Sequence, residues 1–340
     1  MNDFNDTTDL HLLPVGSPAA APILAQVTHI YTDLDGTLLA PGGRLLTNHA
    51  GKPSSVLAQA LASLKVAGID VILVTGRNRI QATEILRLLD LKSFIGEMGT
   101  VLQLGYGAEA EISYALGQWS NVVLQEGFAP GEIPEGLTPY QIISACGVVE
   151  RLMAAFPGKL ERHWPYGDNR EVTQMLRGQI DLDVATALLA EETLPLELLD
   201  NGIIHPKCHN LTDVEQVHAY HLVPQGTSKA KAVAADITRR GLSADRTLAI
   251  GDAVGDVLMG GHTGSLVVVQ NALGNNTVLS AIGELKVASA LALNNIGASG
   301  DSENGSTRSE LSHPVFCTAG HTADGWVEFA RALLLAKGLG

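Results

Sequence analysis

The stretch "HIYTDLDGTLLA", His29 to Ala40, decides how the rest of this chain is read. Ile30, Tyr31 and Thr32 are β-branched or aromatic and suit a strand covered on both faces. Two aspartates follow, Asp33 and Asp35, with one leucine between them. Side chains two apart on an extended chain point the same way, so both carboxylates aim at one spot. Carboxylates that close raise one another's pKa unless a cation neutralises them. Mg2+ fits the pair, because it takes one or two carboxylates together with water and phosphate oxygens. A plain strand-ending aspartate turn is the alternative. The spacing argues against a calcium loop, since Gly36 falls too early and no later acidic ligands follow at the required spacing.

Around this stretch the chain alternates. "SSVLAQALASLKVAG" (54–68) has helical spacing at Val56, Leu57, Ala60, Leu61 and Leu64, with Gly68 as a stop. "IDVILVTGR" (69–77) predicts a second buried strand, "IQATEILRLLD" (80–90) a helix, and "SFIGE" and "TVLQL" two short strands. The alternation returns with helix "KAKAVAADITRRG" (229–241), strand "RTLAIGD" (246–252), a helix around "VGDVLMGG", strands "SLVVVQ" and "PVFCT", and helix "WVEFARALLLAKG". Such alternation predicts an α/β fold, a doubly wound parallel sheet with an inserted smaller α+β domain. The insert is expected at 106–214, where loops such as "GFAPGEIPEGLTPY" and one strand, "EVTQMLRG", break the pattern. The core is then discontinuous, 23–105 and 215–340. Residues 1–22 are expected as a flexible leader and 294–312 as a mobile loop.

Composition narrows the function classes. Apolar residues make up 46% and charged residues 17% of 340, which fits a packed globular enzyme. A formal charge of −14 argues against a general nucleic-acid or anionic-membrane binder. No window approaches the roughly 20 apolar residues of a membrane span. Cys146, Cys208 and Cys317 are too few and too scattered for a disulfide framework, and the N-terminus carries acids where a signal peptide needs bases. The expectation is a soluble cytoplasmic protein.

Three further clusters carry chemistry. Thr75 and Gly76 end the second core strand, where a hydroxyl and exposed N–H groups before a helix can cradle phosphate or simply cap the helix. In "PQGTSKAKAV" a lysine in the first helical turn opposes the macrodipole unless it has an anionic partner. Lys229 lies in line with the sheet-facing Val233 and Ile237, whereas Lys231 falls on the solvent side. In "LAIGDAVGDVLM", Asp252 ends a strand and Asp256 lies one helical turn on. An acid pair, a hydroxyl, a lysine and another acid pair, each after its own strand, are what phosphoryl transfer through an aspartyl-phosphate needs.

"DLDGT", "VTGR", "TSK" and "GDAVGD" resemble, in order, the four motifs of the haloacid dehalogenase superfamily of phosphatases. From Asp33 to Thr75 is 42 residues (75 − 33), and from Thr75 to Lys229 is 154 (229 − 75). The cap domain therefore falls between the second and third motifs, which is similar to the Cof-type branch that includes sucrose-phosphate and mannosyl-3-phosphoglycerate phosphatases. "IGEMGTVL", "VVVQNA" and "HTADGWVEFA" echo that branch too. Met98 stands where the branch has Asn, and Gly255 where its "GDxxND" motif has Asn. The resemblance implies that Asp33 is the nucleophile and Asp35 the general acid and base. It implies that Thr75, Gly76 and Lys229 hold the phosphoryl group. It also implies a Mg2+ site made by Asp33, the Asp35 backbone carbonyl and Asp252, with Asp256 supporting. The implied partner is a small phosphorylated metabolite, of sugar-phosphate or glycosyl-phosphoglycerate type.

In the cap, Arg170 and Arg177 are candidates for a second anionic group and Asp200 and Asn201 for sugar hydroxyls, each with a solvated surface role as the alternative. His205, Cys208 and His209 invite a zinc reading, though no second ligand pair with suitable spacing follows. A non-catalytic sugar-phosphate sensor or a phosphotransferase of the same family are the competing functions. A two-component receiver domain uses a similar residue set, but it is about a third of this length. The residues assign no oligomeric state.

Overall fold

A computed structural model describes residues 10, 12–297 and 314–339. Among the described residues the first strand is the two-residue β1 (Leu13–Pro14), followed by helix α1 (Ala21–Leu24), β2 (His29–Thr32) and α2 (Val56–Val66). It continues through β3 (Asp70–Val74), α3 (Arg79–Leu89), β4 (Ser93–Gly96), β5 (Val101–Leu104) and β6 (Glu111–Tyr114). Helices α4 (Pro139–Ala145) and α5 (Val148–Ala155) precede β7 (Leu160–Arg162), β8 (Gln174–Gly178), α6 (Leu182–Ala190), β9 (Leu196–Ile204) and β10 (Val217–Pro224). The alternation then resumes as α7 (Lys229–Arg239), β11 (Thr247–Gly251), α8 (Val254–Gly260), β12 (Ser265–Val268), α9 (Asn276–Gly297), β13 (Val315–Cys317) and α10 (Thr322–Ala336). The architecture is mixed α/β, with one large, mainly parallel sheet and a separate small antiparallel one.

Two compact units divide the chain. The first is Met1–Thr75, Ile85–Phe94 and Lys229–Gly340, and the second Gly76–Glu84 and Ile95–Ser228. The large sheet has nine strands in the order β1-β13-β12-β11-β2-β3-β4-β5-β6, and the chain passes between units within β4. In the first unit β1, β13, β12, β11, β2 and β3 all pair in parallel. Thr32 pairs with both Ile250 and Leu73, so β2, β11 and β3 end at one level. That register sets Asp33, Asp252 and Thr75 along the carboxyl edge, where open parallel sheets bind ligands. Ile30, Leu73, Leu248, Ile250, Leu266 and Val267 are wholly buried, as strands covered on both faces require.

The second unit has its own antiparallel sheet, β7-β8-β10-β9. Trp119, Ile143, Leu152, Leu176, Tyr220 and Leu222 belong to its core. Thr138 opens α4 with a capping box shared with Gln141.

Three expectations are corrected by this arrangement. The described part of the leader is ordered: β1 adds to β13, Val15 N donates to Cys317 O at 2.9 Å, and Val15, Ala20 and Leu24 are buried. A two-residue edge strand leaves no period in the sequence to read, and residues 1–9 and 11 lie outside the described residues. In the loop expected at 294–312, residues 294–297 complete α9, and 298–312 lie outside the described residues. The core was expected to resume at 215, yet β10 pairs with β8 and β9 in the second unit. Its two histidines break the apolar run that marks the other strands, although His221 is wholly buried.

Candidate active site

Asp33 leaves β2 with its N–H still donating to Ile250 O at 2.9 Å, so the sheet ladder fixes its backbone. Lys229, the first residue of α7, reaches Asp33 Oδ1 at 2.7 Å and Asp256 Oδ1 at 2.9 Å. All three side chains are buried. Lys231 is exposed. Asp256 Oδ2 accepts from the backbone N–H groups of Asp252 at 3.3 Å and Ala253 at 3.1 Å, closing the first turn of α8. Asp252 accepts at Oδ1 from the Thr37 hydroxyl, 3.2 Å away, and at Oδ2 from the Asn271 amide, 2.9 Å away. Gly36 has φ +91°, and a Cβ there would lie 2.4 Å from Asp252 Oδ2, so no side chain fits the turn.

Two carboxylates, Asp33 and Asp256, therefore share one ammonium, and a third, Asp252, lies beside them. Burial pushes the Asp33 carboxyl well up, Lys229 opposes, and Asp256 and Asp252 push it further. Asp252 is pushed up to about 6, first by burial and then by Asp256. Burial pulls the Lys229 ammonium down, but Asp256 and Asp33 outweigh it and hold the lysine above its ordinary range. The excess negative charge needs a proton or a cation. Asp33, Asp252 and Asp256 offer oxygen atoms within 4.8 Å of one another, an all-oxygen donor set that suits a hard divalent ion such as Mg2+. They are the only such cluster among the described residues, so His205, Cys208 and His209 do not assemble a zinc site.

Asp35 is exposed in the turn after Asp33, and Thr75 is buried at the end of β3. A Cβ at Gly76 would meet Met98 Sδ at 3.3 Å, Asn201 Nδ2 at 3.5 Å and His221 Nε2 at 3.5 Å. Gly255 is open by comparison, because a Cβ there would touch only the Lys229 stem at 4.0 Å.

The four cap candidates do not form one group. Arg170 is buried against Glu97 at 3.7 Å and donates to Gly76 O and Thr173 Oγ1, both at 2.6 Å. Arg177 pairs with Glu161 at 2.6 Å, and Asp200 with His218 Nδ1 at 2.8 Å. Of the four, only Asn201 keeps its side chain beside Gly76 without a carboxylate or histidine partner of this kind. A buried guanidinium needs a carboxylate, and both arginines have one inside their own unit.

Sequence reasoning passed over Glu97. It is wholly buried, accepts from the N–H groups of Glu171, Val172 and Thr173 at 2.9, 3.1 and 2.9 Å, and carries φ +48° beside Met98 at +62°. One carboxylate thus fastens the 170–173 segment to the β4–β5 turn. Glu97→Gln keeps the shape but leaves Arg170 without its counter-charge, and should cost about 2 kcal/mol. Urea unfolding measures it, and a cost near zero would contradict this role.

Comparisons with known proteins bear on the family and on the fold. The model of the haloacid dehalogenase-like hydrolase family matches residues 30–109 and 197–281. A phosphoglycolate phosphatase of Methanoculleus marisnigri is 23% identical over 245 residues, covering 72% of this chain and 84% of that protein. The sucrose-phosphatase of Synechocystis, solved with sucrose and phosphate, superposes with a TM-score of 0.52 at 14% identity, covering 91% of this chain and 98% of that one. A HAD/COF-like hydrolase from Plasmodium vivax gives a TM-score of 0.49 at 14% identity, covering 91% and 96%. At 14% identity the likeness to the sucrose-phosphatase is one of fold. Over residues 30–109 and 197–281 the chain is thus similar to the haloacid dehalogenase-like hydrolases, and Asp33, Thr75 and Asp252 stand along one sheet edge within those spans.

Proposed function

We propose that this enzyme, a phosphatase of that family, hydrolyses a small phosphorylated metabolite through an aspartyl-phosphate on Asp33, with Mg2+. The observation that carries the reading is the buried Lys229 ammonium fixed between Asp33 and Asp256, beside Asp252. A preorganised cation at a carboxylate nucleophile stabilises the charge of a transferring phosphoryl group.

In the first step an Asp33 oxygen attacks phosphorus in line while the bond to the leaving oxygen breaks. Asp35 gives its proton to that oxygen. Water then attacks the phosphorus of the aspartyl-phosphate and Asp35 takes its proton, which returns the Asp33 carboxylate and frees inorganic phosphate. The Thr75 hydroxyl, the Gly76 N–H and Lys229 hold the phosphoryl oxygens throughout. Asp33, the Asp35 backbone carbonyl and Asp252 would hold Mg2+, with Asp256 supporting. When bound, the ion would neutralise charge on the phosphoryl oxygens.

The substrate class is a sugar phosphate or a glycosyl-phosphoglycerate. The names of the relatives, a phosphoglycolate phosphatase and a sucrose-phosphatase, support a small phosphorylated molecule. In the second unit Asn201 is the residue proposed to meet a leaving-group hydroxyl. Arg170, Arg177 and Asp200 serve that unit's own structure through their ion pairs. A cytoplasmic setting is proposed with it, and Cys146, Cys208 and Cys317 are free thiols. Among the described residues no helix is long and apolar enough to cross a membrane.

Phosphate release from p-nitrophenyl phosphate, with and without Mg2+, tests the reading. Turnover should vanish with EDTA and return with added Mg2+. Turnover unaffected by EDTA would contradict the metal, and no turnover under either condition would favour a sensor.

A further inference from the structure

Asn271 has no part in the reaction steps above, yet it joins the two loops that carry the acidic centre. It follows β12 in "VVVQNA". Its Nδ2 donates to Gly36 O at 3.0 Å and to Asp252 Oδ2 at 2.9 Å. Its Oδ1 accepts from Thr322 N at 2.8 Å, at the start of α10. A flipped amide would set its oxygen against a carbonyl and a carboxylate, so the hydrogen-bond network defines the orientation. Three chain segments meet on one side chain, and both of its N–H groups are used.

The support behind Asn271 is itself built under strain. Thr322, a β-branched residue, holds φ +46°, where such residues pay about 1–2 kcal/mol. Its N–H faces Asn271 only because the surrounding structure holds that conformation. His49 contributes to this: its Nδ1 lies 3.3 Å from Thr322 Oγ1, its N–H donates to Asp324 Oδ2 at 3.3 Å, and its ring stacks on His321 at 4.7 Å. Thr37 meanwhile bonds Asp252 Oδ1, so each oxygen of that carboxylate has one fixed donor and keeps a lone pair for a further partner.

We infer that Asn271 is a positioning residue for the cation. Its amide ties the Asp252 carboxylate to the turn that follows Asp33 and Asp35, so the ligands from both loops are aimed before the ion arrives. The inference rests on the Mg2+-dependent reading above. Groups that orient a metal's ligands are typically worth about 10- to 100-fold in metal affinity. Asn271→Leu keeps the volume and removes both donors. Asn271→Ser keeps one hydroxyl donor.

The test is calorimetric titration of Mg2+ alone into metal-free wild type and both variants, beside phosphate release from p-nitrophenyl phosphate at rising Mg2+. Asn271→Leu should bind Mg2+ at least about tenfold more weakly while its kcat at saturating Mg2+ stays within about threefold of wild type. Asn271→Ser should fall between the two, and it carries the test alone if the leucine variant does not fold. Wild-type Mg2+ affinity in the variants overturns the inference, as does a kcat lost at saturating Mg2+ with affinity unchanged. A wild type that binds no Mg2+ overturns the functional reading itself, which separates the two failures.

Discussion

Asp33→Asn should leave a folded protein whose phosphate release from p-nitrophenyl phosphate falls by about four orders of magnitude. Asparagine keeps the shape of the side chain, and its Oδ1 can still accept from Lys229. It lacks the charge that attacks phosphorus. The fold should not suffer, because the change removes one negative charge from a centre of three carboxylates and a single ammonium. Its Tm without metal should equal or exceed that of wild type. Turnover near the wild-type rate would remove Asp33 as the nucleophile.

Lys229→Met should act on stability as well as on rate. The methionine fills the stem's space but leaves the Asp33 and Asp256 carboxylates buried without their shared counter-charge. Breaking a buried pair from one side costs about 3–5 kcal/mol, to be read from urea unfolding of the metal-free protein. The dependence on pH has a definite sign. Burial already holds the Asp33 carboxyl above its ordinary range, so it binds its proton more tightly folded than unfolded. Such a group's contribution is full at low pH and is lost as pH rises through its raised pKa. The cost of Lys229→Met should therefore be smallest in acid and largest near neutrality, and added Mg2+ should recover part of it. A cost that is the same at every pH would contradict this account of the centre.

The parts of this molecule legible in sequence are those whose signal is local. Asp33, Thr75, Lys229 and Asp252 each stand at a strand end or helix start, and a parallel sheet gathers such positions along one edge. Lys229 could be preferred to Lys231 because helical periodicity alone separates the two faces. The illegible parts depend on partners distant in the chain. A charged residue does not reveal whether it faces solvent, ligand or an ion pair: Arg170 meets Glu97, 73 residues earlier (170 − 97), and Arg177 meets Glu161. Asn271 likewise meets Gly36 from 235 residues away. β10 was missed because its histidines read as polar, and only the pairing with β8 and β9 makes a buried strand of it.

The proposed mechanism turns on a covalent phosphoryl group on Asp33. Acid quenching of the enzyme during turnover of p-nitrophenyl phosphate, followed by peptide mass spectrometry, measures it directly. A phosphoryl adduct on the peptide containing Asp33, absent in Asp33→Asn, is the expected result; turnover with no adduct, or with the adduct on another residue, would contradict it.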